Sequence, residues 1–389
     1  MSTRNIKINN HQTIRYDRIL STSGIVTIAI FSLMNTALAA ENASTVSLEE
    51  ITVTATKTGA TELQKTPMTI TALTGDEMSR ANLTDMKEIG VVVPNANFIN
   101  LGGFSQAFIR GVGNTSQGAA IGGETNISFY LDGVYLERGM GANTEFFDVE
   151  RIEVLRGPQG TLYGRNATGG AVNIITRMPT DEVDFKAGVT VGNYDKIRAD
   201  ASLAGPIVSG KVAGRISASI NKHDGYVKNL IGPDLQDENS YGIRGKLSIT
   251  PSDSIRIDLA ADYYEQNNNG TVNQLEYDPN NAWPTLTAPV PEDFWSANVN
   301  GPVYDNAESY GLSATIAIDL PHDMTFRSIT AYRNWERDFL WDADNNLPAR
   351  VDLVLHDYFD TFTQEVQLDG KLDRLSWQTG FFYYELDNQ

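Results

Sequence analysis

From residue 183 onward, apolar and polar positions alternate with a period of two. Phe185, Ala187, Val189 and Val191 are separated by Lys186, Gly188 and Thr190; Ile197, Ala199, Ala201 and Leu203 are separated by Arg198, Asp200 and Ser202. The same period recurs over 212–222, 241–249, 255–265, 310–320, 325–335, 360–368 and 375–386. Successive side chains of a strand point to opposite faces, so each segment predicts a strand with one apolar and one polar face. Nine segments of about ten residues have the length a tilted strand needs to cross a bilayer. A soluble β-sandwich would carry the same alternation, and the connections separate the two. Segments two and three, four and five, six and seven, and eight and nine are joined by short stretches (205–210, 251–254, 321–323 and 369–373). The intervening connections 223–240, 266–309 and 336–359 are long; only the first, around 192–195, is short. Short turns on one side and long loops on the other are the pattern of a membrane barrel, with turns periplasmic and loops outside. Tyr194, Tyr226, Tyr263, Tyr264, Tyr332, Trp335, Tyr358 and Phe359, near segment ends, suit an aromatic girdle at the headgroup level.

From 41 to 180 the pattern is mixed. Thr74 and Glu77 form a capping box that opens a short helix to about Ala81. Thr84 caps a second, Asp85 to Ile89, which Gly90 and the nearby Pro94 stop. Short strands follow over 97–101, 107–110, 127–131, 134–136, 151–155 and 171–176, with Asp132 and Gly133 forming a tight hairpin turn. This predicts a small α+β unit. The first forty residues read as an address. Arg4, Lys7, Arg15 and Arg18 face a single acid, Asp17, and an apolar run over 24–34 leads to Ala37 and Ala39. That order is a secretory signal peptide with cleavage after Ala39 or Ala40.

Composition narrows the rest. Cysteine is absent, which excludes disulfides, thiolate metal sites and cysteine nucleophiles. The net charge of −19 argues against nucleic acid, whose phosphates need surplus Lys and Arg. Mean hydropathy is −0.28, and no apolar run approaches the roughly 18 residues of a spanning helix, so a helical membrane bundle is excluded and a barrel is not. His11, His223, His322 and His356 are scattered, with no metal-ligand spacing and no nucleophile elbow, so support for an enzyme is thin.

The junction between the two regions carries a resemblance. Residues 148–176, with Arg151, Glu153, Arg156 and glycines at 157, 160, 164, 169 and 170, closely resemble the end of the plug domain of TonB-dependent outer-membrane receptors. The stretches 108–111 (Phe-Ile-Arg-Gly) and 129–134 (Phe-Tyr-Leu-Asp-Gly-Val) also match that plug, and 50–55 (Glu-Ile-Thr-Val-Thr-Ala) looks like a TonB box. The glycine density suits tight turns in a crowded lumen; a phosphate loop is the competing reading, and the P-loop signature is missing.

The resemblance implies an α+β plug domain followed by antiparallel transmembrane β-barrel strands, with about nine strands here against about 22 in a closed family barrel. The chain is therefore expected to be the N-terminal portion of a receptor: signal peptide 1–40, TonB-box segment 41–60, plug 61–180, barrel 181–389. It implies energised uptake of a scarce ligand, by default a ferric siderophore, with cobalamin or a carbohydrate as other ligands, and iron as cargo with no resident cofactor. The partners implied are TonB, that ligand and outer-membrane lipid. Ile51, Thr52, Val53, Thr54 and Ala55, β-branched and uncharged, would add as a strand to a partner sheet; the competing reading is an edge strand of the plug itself. Arg110, Arg151, Glu153, Arg156 and Glu365 would form a plug–barrel lock, with Glu365 paired to plug arginines such as Arg110 or Arg156. Asn114, Gln117, Arg138, Trp283, Phe294 and Trp295 would face the ligand. A binding or adhesion protein without transport, or a non-functional receptor fragment, are the alternatives.

Overall fold

The computed structural model describes residues 52–57, 59, 61–101, 104–113, 124–137, 146–270, 272, 293–342 and 352–388. The expected signal peptide, Ile51, Asn114, Gln117, Arg138 and Trp283 lie outside the described residues.

Nine strands form one antiparallel sheet in sequential order: Asp184–Gly192, Lys196–Val208, Val212–His223, Glu238–Ser252, Ile255–Asn268, Tyr304–Leu320, Met324–Asp342, Asp352–Leu372 and Leu375–Asn388. Each contains one of the nine alternating segments. Their faces are inverted relative to a soluble protein. On the third strand Arg215, Ser217, Ser219 and Asn221 are buried, while Ile216 and Ile220 are more than half exposed. On the fourth, Ser240, Arg244, Lys246 and Ser248 are buried and Tyr241, Ile243 and Leu247 are exposed. Polar-in, apolar-out alternation is what a barrel wall needs between lipid and lumen, and it excludes the sandwich. Tyr241, Tyr310, Tyr332 and Tyr383 point outward, as a girdle requires. Trp335 and Phe359 do not: both are 5% exposed and join the plug core from the lumen side, because they fall on the inward parity of their strands.

The strands run beyond their periodic segments. Most of 336–359, expected as a loop, is ladder, with Arg337 opposite Asp357 and Leu340 opposite Val354. Glu336, Asp338 and His356 interrupt the apolar face there, but pairing needs only backbone, and above the bilayer that face meets water. The short turns are tight: Ser252 pairs with Ile255, Leu320 with Met324 and Leu372 with Leu375.

The plug holds a five-stranded sheet in the order 70–74, 149–156, 170–176, 127–131, 134–136, in which 170–176 runs parallel to 127–131 and the other pairs are antiparallel. A second sheet joins 96–101, 104–109 and 112–113. The hairpin turn has both residues left-handed, Asp132 at φ 50° and Gly133 at φ 85°, the backbone an Asp-Gly turn supplies. Thr74 and Glu77 cap the helix Gly75–Arg80 as expected. The second helix is Met86–Val92, capped by Asp85 with Glu88, and Gly90 does not stop it. Gly90 serves packing instead: a Cβ there would lie 3.0 Å from the Phe98 nitrogen. Met86, Ile89, Phe98, Ile109, Phe129, Ile152 and Val172 make the core.

At Gly170 a Cβ would lie 2.3 Å from the Leu155 carbonyl oxygen; at Gly188, on the first barrel strand, it would meet nothing within 4 Å. Gly170→Ala is expected to destabilise the plug by about 1–3 kcal/mol in urea unfolding, as overpacking does. Gly188→Ala should stay within about 0.5 kcal/mol of wild type.

Candidate functional site

Thr52–Val53 pairs antiparallel with Thr61–Glu62. The chain then reverses at Lys57, which is left-handed at φ 57° and donates its amide to the Thr54 carbonyl at 2.9 Å. Val53 and Ala55 are fully buried against Tyr130, Tyr135, Leu155, Tyr163 and Ala171. In this conformation the segment is therefore an edge of the plug, packed by its small and β-branched side chains.

Two carboxylates hold it. The Glu153 side chain has no solvent exposure, and a buried charge must collect donors. It accepts the Thr54 backbone N–H at 2.8 Å, the Thr54 hydroxyl at 3.3 Å and Arg151 Nε at 2.9 Å. Beside it the Tyr163 hydroxyl donates to the Ala55 carbonyl at 3.1 Å and accepts from Asn173 at 2.7 Å. The second carboxylate belongs to the barrel wall. Glu365, inward on the eighth strand, pairs with the Lys57 ammonium at 2.9 Å. The same ammonium lies 5.3 Å from the Tyr130 ring centre and 5.1 Å from that of Tyr163, within cation–π range. The wall also grips the Lys57 carbonyl, through Arg327 at 3.1 Å and Gln378 at 3.2 Å. A cavity of about 310 Å³ opens here between plug and wall, lined by Lys57, Asp132, Arg151, Lys246, Arg327 and Glu365 among others. Burial, with the Glu365 charge second, pushes the Tyr130 hydroxyl well above its ordinary value. Burial, with the Glu153 charge second, does the same to Tyr163. Both stay protonated and able to donate.

The lock expected from sequence is rearranged. Glu365 takes Lys57, not Arg110 or Arg156. Arg156 donates to the Pro94 carbonyl at 3.2 Å within the plug. Arg110 is exposed and left-handed at φ 53°, with its amide on the Asn95 carbonyl. Arg151 is consumed by its strand neighbours Glu150 and Glu153, at 2.5 and 2.9 Å. Elsewhere the polarity runs from wall to plug, with barrel cations seeking plug oxygens. Arg215 holds Asp148 in a bidentate pair at 2.5 and 2.6 Å, and Lys246 holds Asp132 at 2.7 Å. Arg198 and Arg244 donate to the Phe146 and Phe147 carbonyls at 2.7 and 3.2 Å. These residues went unselected, yet their signal is in the chain: each is a cation at a lumen-facing position of an alternating strand.

Of the expected ligand-facing residues, the described ones are Phe294 and Trp295, at 60% and 54% exposure. Their rings pack edge to face at 5.1 Å, and Trp295 meets Tyr226 at 5.9 Å. Among the described residues, no group of three or more His, Asp or Glu could hold a metal ion.

A globular plug seated by ion pairs against an outward-apolar, antiparallel wall is the architecture of a plugged outer-membrane β-barrel. Residues 62–171 match the TonB-dependent receptor plug domain. The chain is 31% identical over 223 residues to the pesticin receptor of Yersinia enterocolitica, covering 54% of this chain and 32% of that protein. It is 25% identical over 264 residues to the catecholate siderophore receptor Fiu of Escherichia coli K12, covering 63% and 32%. The crystal structure of the ferric yersiniabactin uptake receptor FyuA from Yersinia pestis superposes with a TM-score of 0.67 at 22% identity, over 82% of this chain and 48% of that one. The chain therefore carries a TonB-dependent receptor plug domain over residues 62–171, and it spans about a third of the length of the curated relatives it matches.

In a double-mutant cycle, Lys57→Met and Glu365→Gln are expected to couple by about 0.5–3 kcal/mol in urea unfolding of the plug. Arg156→Ala with Glu365→Ala should instead add within about 0.5 kcal/mol. A coupled Arg156 would restore the pairing read from sequence.

Proposed function

We propose that the protein takes part in energised uptake of a ferric siderophore across the outer membrane, with the plug as gate and segment 51–55 as the contact for TonB. The observation that carries this reading is the docking of Thr52–Lys57 between a plug carboxylate and a wall carboxylate. A segment that seals the interface from the periplasmic end of the chain is one whose removal loosens the seal. The outer membrane has no ATP, so the work must arrive mechanically, and an uncharged β-branched segment can pair as an added strand with a partner sheet. Glu153, Arg151, Glu365 and Lys57 form the lock in this scheme; Arg110 and Arg156 brace the plug.

The ligand class is supported by the company the chain keeps. One relative is a catecholate siderophore receptor, and a structure of similar fold belongs to a ferric yersiniabactin uptake receptor. In this scheme iron is cargo inside a chelate, no reaction is catalysed, and Phe294 and Trp295, with Asn114, Gln117, Arg138 and Trp283, serve the outer approach. The division into signal peptide 1–40, TonB-box segment 41–60, plug 61–180 and barrel 181–389 belongs to the same proposal.

Ile51→Pro removes a backbone donor from the added strand and fixes its φ. Cells producing this variant should bind radiolabelled ferric siderophore normally and fail to accumulate it. Undiminished accumulation contradicts the energised mechanism; loss of binding contradicts the assignment of this segment to coupling alone.

A further inference from the structure

Three buried tyrosines lie between the docked segment Thr52–Lys57 and a polar cluster of Glu124, Arg165 and Asn166. Tyr130, Tyr135 and Tyr163 are 3%, 2% and 4% exposed. Tyr135 and Tyr130 face each other across the hairpin and pack edge to face at 5.7 Å; Tyr130 and Tyr163 do so at 5.1 Å. The Tyr130 hydroxyl donates to the Tyr163 carbonyl at 2.5 Å. At one end of this stack the Tyr163 hydroxyl holds the Ala55 carbonyl, and the Tyr130 and Tyr163 rings flank the Lys57 ammonium. At the other end Asn166 donates to the Tyr135 hydroxyl at 2.9 Å and to Glu124 at 2.5 Å. Arg165 pairs with Glu124 and lies 4.4 Å over the ring of Tyr384 on the ninth barrel strand, whose own ring meets Tyr135 at 5.8 Å. Glu124 is thus tied to Ala55 and Lys57 by an unbroken series of hydrogen bonds and ring contacts that crosses the five-stranded sheet at the Tyr130–Tyr135 pair.

We infer that Tyr163, through Tyr130 and Tyr135, positions the segment Thr52–Lys57 according to the state of the Glu124–Arg165–Asn166 cluster. The inference deepens the uptake reading and rests on it for its biological meaning. Rings packed edge to face in a close-packed core change position together, because a gap opened at one contact forfeits attraction that no neighbour restores. When Glu124 is drawn from Arg165 and Asn166, Asn166 loses the acceptor that orients it toward the Tyr135 hydroxyl, and Arg165 loses one of the two carboxylates beside it, Glu137 remaining on the Tyr384 hydroxyl. The displacement reaches Tyr163, whose hydroxyl leaves the Ala55 carbonyl. Docking at Ala55 and Lys57 then rests on Glu153 and Glu365 without its aromatic floor. Tyr163 is in this scheme a positioning residue: its hydroxyl acts on the docked segment, while the cluster reaches it through the ring stack, beside the short chain link from Arg165.

The chain has no cysteine, so one introduced at the exposed position Thr52 takes a spin label without competition. In the ligand-free protein in detergent, the ratio of mobile to immobile label should rise about fivefold in Tyr163→Phe, the factor expected for one net hydrogen bond. Glu124→Gln should raise it as well, and the double variant should rise no further than the larger single. Thermal unfolding of the barrel should not move in any of them, which separates positioning from general destabilisation. An unchanged label in Glu124→Gln, or additive effects in the double variant, overturns the inference. The readout needs neither ligand nor TonB, so intact accumulation by Ile51→Pro would remove the uptake reading and leave this coupling standing.

Discussion

A carboxylate cut off from water cannot stay charged without donors around it, and Glu153 gathers its donors from a segment about a hundred residues earlier in the chain. The Thr54 amide and hydroxyl arrive only if the chain at 52–57 lies along the plug, and Arg151, two residues away on the same strand, completes the set. That placement buries Val53 and Ala55, turns the backbone at Lys57 and delivers its ammonium to Glu365 on the wall. One electrostatic requirement in the plug thereby fixes a contact between plug and barrel.

The barrel makes the complementary demand. Lipid accepts only apolar side chains on the outward face, so every charge that the strands carry at membrane depth must point into the lumen. Arg198, Arg215, Arg244 and Lys246 are the result, and they need oxygens. The plug supplies them as Asp148, Asp132 and the buried carbonyls of Phe146 and Phe147. Plug and wall are therefore held by charge-assisted bonds from several strands of the wall, while Trp335 and Phe359 extend the plug's apolar core into the wall. A cavity persists where the segment, the hairpin and the eighth strand converge.

The periodicity of the chain made the wall legible, since a side-chain period of two survives lipid, lumen and water alike; all nine segments lie within strands. It failed at the strand tops, where Glu336, Asp338 and His356 break the pattern without breaking the ladder. Helix capping was legible because Thr74 with Glu77 and Asp85 with Glu88 are local. Gly90 misled because its role depends on Phe98, a neighbour in space that spacing cannot reveal. The resemblance singled out two carboxylates, Glu153 within 148–176 and Glu365 within 362–366. It did not give their partners, which depend on how the plug is rotated within the wall: Arg156 is spent on Pro94, and Lys57 is free to reach across. The tyrosine stack carried no sequence signal beyond ordinary β-propensity, because its members come from a hairpin and a one-turn helix.

The central claim is that segment 52–57 is docked in the resting protein by Glu153. Amide hydrogen exchange at Thr54, followed in the ligand-free protein in detergent, tests it directly. Exchange as slow as in the plug strand 149–156, and rising to that of an open chain in Glu153→Gln, is the result this account requires. A Thr54 amide that already exchanges at the open-chain rate in the unaltered protein would contradict it.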